Sequence, residues 1–128
     1  MKIWSAPPTR ADVEAVVDGY FALLRAAKLE ELEQLVEEHG TAHVLKALWS
    51  ESAGVGPDRD RRKAAGEWKE DLSWLGELAR ADITWSINGG VSPYVEISYR
   101  GRILDVALSF HVREHDTGWV LAGPATLW

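Results

Sequence analysis

Few side chains in this sequence are of types and spacings that do chemistry. Tyr20 falls on an apolar stripe where leucine would pack more cheaply. A buried tyrosine hydroxyl needs a partner, either a core carbonyl or an oxygen of a bound molecule. His39 and His43 are four residues apart, and on an unbroken helix they would share a face as metal ligands. Gly40 lies between them and no third ligand is evident, so no metal is expected. His39 then reads as a residue favoured by the dipole at a helix C-terminus. His43 reads either as a surface histidine or as a general base near a cavity mouth. Glu96 and Asp105 face each other if Arg100-Gly101 is a two-residue turn, and Ser98, Ser109 and His111 share their side. That set is either an acid–base cluster or the hydrated outer side of a sheet, and opposed carboxylates cost stability when dry. The other side is nearly all apolar and must pack on the helices, which favours hydration for the carboxylates. Gly54-Val55-Gly56 lacks the Gly-Lys-Ser/Thr continuation and the strand context of a phosphate loop.

The elements that position these groups follow from periodicity. Pro7-Pro8 blocks an early helix start, Thr9 is an N-cap, and Asp12 completes a capping box. Val13, Val16, Val17, Tyr20 and Leu24 form one stripe of the first helix. Ala26-Ala27-Lys28 could continue that helix. A second helix is expected over Leu29 to Glu38, with Gly40 as its C-cap residue and an acidic, solvated outer face. Thr41 to Ser52 fits a helical stripe but is short enough for a strand. Asp58 to Ala79 reads as a third helix burying Trp68, Leu72, Leu75 and Ala79, with Trp74 and Leu78 beside them. Ile83, Trp85 and Ile87 alternate as a strand, and Asn88-Gly89-Gly90 is a hairpin turn signal.

The span from Tyr94 to Trp128 alternates with period two across turns at Arg100-Gly101 and Asp116-Thr117-Gly118. Its apolar side, with Val95, Ile97, Tyr99, Leu104, Val106, Leu108, Phe110 and Val112, is the one expected to face the helices. A one-residue slip would bury two carboxylates.

Composition sets limits. The 128 residues suit one domain, 1–128, with a full core. A net charge of -6 argues against general nucleic-acid affinity. The basic cluster Arg59, Arg61, Arg62 and Lys63 is interrupted by acids and reads as a solvated helix start. No apolar run approaches a membrane span, and the first residues lack the apolar core of a signal peptide. The absence of cysteine excludes disulfides and is compatible with a cytoplasmic protein. Seven tryptophans are the one compositional excess, a residue that gathers in cores, pocket walls and interfaces.

Helices first and a closing four-stranded meander make an α+β domain, its N-terminal helices packed on the concave face of a curved antiparallel sheet. In the order of its elements and in two apolar stretches, VVDGYFALLRAAKLEELEQLV and LDVALSFHVREHDTGWVL, the chain resembles the nuclear-transport-factor-2-like superfamily. That group includes SnoaL-like cyclases and ketosteroid isomerases. The resemblance implies a cone with a central apolar pocket, often in a homodimer, and cofactor-free cyclisation, isomerisation or dehydration where there is catalysis. Tyr20 matches the first-helix tyrosine that stabilises a developing oxyanion in the isomerase branch. Leu108 or Phe110 stands where that branch has its acidic donor, and Val44, beside His43, where it has its base. A steroid-type isomerase is therefore excluded.

The resulting expectation is binding of a small hydrophobic molecule, polyketide-like or aromatic. The lining would be Val17, Leu24, Trp49, Trp68, Leu72, Val95, Ile97, Tyr99, Leu108 and Phe110. Tyr20 and His43 would be the catalytic residues if there is turnover. No cofactor, nucleic-acid or membrane partner is expected. The competing class is a non-catalytic dimerisation or immunity-type module, for which an acidic surface suits a basic partner.

Overall fold

The structure, a computed structural model, describes residues 1–37, 40–53, 71–86 and 90–128. Helix α1 (Arg10–Arg25) starts as its sequence dictates. The Asp12 N–H donates to the Thr9 hydroxyl at 3.1 Å, and the Thr9 N–H donates to the Asp12 carboxylate at 3.0 Å. The helix does not run on through Ala26–Lys28. Ala27 is left-handed at φ 58°, its N–H donates to the Leu24 carbonyl, and the Lys28 N–H reaches back to that of Leu23 at 2.9 Å. This paired closure satisfies carbonyls that a helix end otherwise leaves open.

Helix α2 (Leu29–Leu35) is shorter than its sequence suggests. Val36 is extended, and Glu37 forms a parallel bridge to Ala122: its N–H donates to the Leu121 carbonyl and its carbonyl accepts from the Gly123 N–H. Pairing to the sheet edge thus ends the helix early. Gly40 is not its cap but the residue before α3 (Thr41–Ser52), at φ 137°. The segment left open between helix and strand is this helix.

The expected third helix over 58–79 is corrected at its end. Ser73–Glu77 is a short 3-10 turn, entered where the Asp71 carboxylate accepts from the Ser73 N–H at 2.9 Å. Leu78 then begins strand β2 (Leu78–Trp85), paired opposite Tyr99. The stripe through Leu72, Leu75 and Ala79 was a coincidence of spacing that sheet pairing overrides.

The antiparallel sheet adds β3 (Pro93–Tyr99), β4 (Arg102–His115) and β5 (Gly118–Leu127) to β2. Its order is β1-β5-β4-β3-β2, where β1 (Ile3–Trp4) is an edge strand that periodicity did not reveal. It lies close enough that any side chain at Gly118 would collide with the Trp4 carbonyl. Arg100 and Gly101, at φ 52° and 78°, make the tight turn between β3 and β4. Irregularities at Arg80/Ile83, Glu96/Ser98 and Ser109/His111 interrupt the three long ladders, the kind of bulge that bends a sheet. The second of these opposes Glu96 to Ala107, so Glu96 and Asp105 are not the cross-strand pair that an unbroken two-residue hairpin would give.

The expected sidedness holds. Val95, Ile97, Tyr99, Leu104, Val106, Leu108 and Phe110 are buried, whereas Asp105 and His111 are exposed and Glu96 is half-buried. They join Val13, Val17 and Leu24 of α1 and Val44 and Leu48 of α3 in one core, with the helices on the concave face.

Candidate functional site

The interior between helices and sheet is where sequence reasoning puts a ligand. Val17, Tyr20 and Leu24, at successive turns of α1, are fully buried. The Tyr20 ring is held edge-on against Phe110 at 5.3 Å and Phe21 at 5.9 Å. Val95, Ile97 and Leu108 complete the wall from the sheet. Tyr99 is also buried, but its hydroxyl donates to the Glu77 carboxylate at 3.0 Å, and Arg100 donates to the other oxygen of the same carboxylate. Its polar end therefore serves the joint between the 3-10 turn and the β3–β4 hairpin.

Across the core, Trp49 of α3 meets Trp74 of the 3-10 turn edge to face at 5.3 Å. Trp74 is 5% exposed, and its Nε1–H finds no acceptor among the described residues. Leu72 and Trp49 are half-buried against the same cluster. Trp68, His39, the 54–56 loop, the 59–63 basic cluster and the 88–89 part of the expected turn lie outside the described residues.

The two candidate catalytic residues do not come together. Tyr20 is wholly buried, whereas His43 is exposed on α3, its Nε2 hydrogen-bonded to the Thr126 hydroxyl at 3.1 Å. His43 lines a surface pocket of about 290 Å³ with Gly40, His111 and the 123–126 bend of β5. Among the described residues the buried polar side chains, besides those of Tyr20, Tyr99 and Trp74, are Thr41 and Ser52, and no carboxylate, imidazole or cation joins them in the core. Among the described residues, too, no three potential ligands cluster as a metal site requires.

Carboxylates with shifted acidity lie elsewhere. Asp12 is held below the usual range by the Thr9 N–H, helped by the Thr9 hydroxyl, and Asp71 by the Ser73 N–H and hydroxyl. Both act as local caps, not as proton-transfer groups. Sequence reasoning missed the orphan donor of Trp74, because spacing shows burial but not hydrogen-bond partners. It also placed His111 outward without finding that His43 shares a pocket with it. The β4–β5 ladder also shifts register between Ser109 and His111, which no periodic pattern carries.

The chain matches no family model, no curated protein and no solved structure.

Proposed function

We propose that the chain binds a small, largely apolar molecule bearing a hydrogen-bond acceptor, in the interior between α1, α3, the 3-10 turn and the sheet. One observation carries this reading: the buried indole N–H of Trp74, which has no partner among the described residues. Leaving a buried donor unmet costs about 1–3 kcal/mol, and a ligand carbonyl or ether oxygen would recover it. The surrounding side chains are aliphatic or aromatic, as a pocket for an apolar body requires. Because Tyr20 and His43 sit in separate environments, the proposal is binding without proton transfer, in preference to a cyclase or isomerase.

The helix-then-curled-sheet order supports the nuclear-transport-factor-2-like resemblance, which we carry forward as part of the same proposal. No helix among the described residues is long and apolar enough to cross a membrane, and we place the protein in the cytoplasm. The outer side of the sheet exposes Tyr94, Ile103 and Leu127, and we assign it to a homodimer. A dimer mass in light scattering at micromolar concentration is expected; a monomer would remove that assignment.

Native mass spectrometry of protein purified from its own host tests the binding reading. A retained small-molecule adduct that is lost on denaturation is expected. A bare chain whose melting temperature no apolar aromatic ketone raises would count against it.

A further inference from the structure

Trp74 is carried by a 3-10 turn of five residues, Ser73–Glu77. Hydrogen-bond geometry in such turns is poor, so a turn this short does not fix an indole by its own backbone. Its exit is held from outside. The Arg25 guanidinium donates to the Gly76 carbonyl at 3.4 Å, and the Arg100 N–H donates to the Glu77 carbonyl at 3.3 Å. The shorter contacts are those of the Glu77 carboxylate. It accepts from the Tyr99 hydroxyl at 3.0 Å, and Arg100 reaches both of its oxygens, Nε to Oε1 and Nη2 to Oε2, each at 3.0 Å. Both donors are themselves anchored. Tyr99 is wholly buried and pairs with Leu78, the residue after Glu77. Arg100 sits in the tight β3–β4 turn with its guanidinium over the Tyr99 ring at 5.2 Å. The Glu77 side chain is 44% exposed, and an ion pair so open to water adds little stability. Its three directed hydrogen bonds define a position instead. Residues three apart in a 3-10 turn eclipse one another, so Glu77 fixes the turn directly below Trp74.

We infer that Glu77 is a positioning residue for the Trp74 donor. By tying the end of the turn to Tyr99 and Arg100, it aims the indole N–H into the interior and so sets the preference for a ligand with an acceptor oxygen over a plain hydrocarbon. The ligand side of this inference rests on the binding reading above; the hold on the indole does not.

The test therefore has a ligand-free arm. Hydrogen exchange of the Trp74 indole N–H is followed by NMR in the full chain, its resonance identified by its absence from Trp74→Phe. In Glu77→Ala it should exchange about tenfold faster, the worth of a hydrogen bond to a charged group, while the amides of Val17 and Leu24 in α1 keep their rates. Glu77→Gln, which still accepts from the Tyr99 hydroxyl, should restore most of the protection, and Tyr99→Phe should lose part of it. In the second arm, Glu77→Ala should lower the preference for acetylnaphthalene over ethylnaphthalene several-fold and leave hydrocarbon binding unchanged. Unchanged indole exchange in Glu77→Ala, or equal acceleration of the α1 amides, would overturn the inference whatever the ligands do. A wild type that binds neither compound would remove the binding reading, and the exchange arm would still decide whether Glu77 holds the indole.

Discussion

Helices α1 and α3 line the same core but begin in opposite ways. The start of α1 is closed by its own sequence, with Thr9 and Asp12 exchanging hydrogen bonds across the first turn. That of α3 has a glycine in place of a cap, a buried Thr41 hydroxyl with no partner among the described residues, and a pocket beside Gly40 and His43. The packing beyond each start is equally complete, since Leu24 and Leu48 are both fully buried. Polar satisfaction, rather than hydrophobic burial, separates the side of the molecule that is purely structural from the side that has donors to offer.

The largest expected effect tests the half of this comparison that should be symmetrical. Leu24→Ala and Leu48→Ala should each cost about 2–5 kcal/mol in urea unfolding, the usual range for truncating a fully buried leucine. A much smaller cost for Leu48→Ala would mean that α3 is loosely packed and that its open start reflects poor packing.

The caps should behave asymmetrically. Thr9→Ala is expected to lose about 1 kcal/mol, the typical worth of an N-cap side chain. Thr41→Val should leave stability unchanged or raise it, because it removes a buried hydroxyl that has no partner among the described residues. A destabilised Thr41→Val would show that the hydroxyl is structural. The box of α1 also has a pH signature. Its hydrogen bonds hold Asp12 below the usual carboxylate value, so the folded state binds this proton less readily than the unfolded one. The contribution is present in full above the ordinary carboxylate range and is lost as pH falls through the lowered folded value. Asp12→Asn should therefore destabilise at neutral pH, with a penalty that shrinks in strong acid; a penalty independent of pH would contradict the assignment.

The smallest effect concerns how α1 ends. Ala27 holds a left-handed conformation that glycine adopts more cheaply, and Ala27→Gly should stabilise by up to about 1 kcal/mol. A loss would mean that the alanine methyl, half-buried against the core, matters more than the backbone strain.

What could be read from the sequence follows the same division. The Thr9–Asp12 box, the α1 stripe and the inward face of β3 and β4 were legible because local hydrogen bonds and strict alternation determine them. The length of α2, the role of Gly40 and the strand at Leu78 were not, since each is decided by pairing to a distant strand: Glu37 to Ala122, Leu78 to Tyr99. The candidate site was legible only in part. Its apolar wall followed from periodicity, whereas the Trp74 donor and the His43–His111 pocket arise from contacts that no local spacing encodes.

The most direct test of the binding proposal is calorimetric titration of the wild type and Trp74→Phe with acetylnaphthalene and ethylnaphthalene, two bodies of similar size of which one carries a carbonyl. The wild type should favour the ketone by several-fold to about tenfold, the worth of one hydrogen bond to a buried donor. In Trp74→Phe that preference should vanish while the weaker hydrocarbon binding persists. If neither compound binds, or if the ketone preference survives the loss of the indole, the interior is a filled core and Trp74 is not its polar anchor.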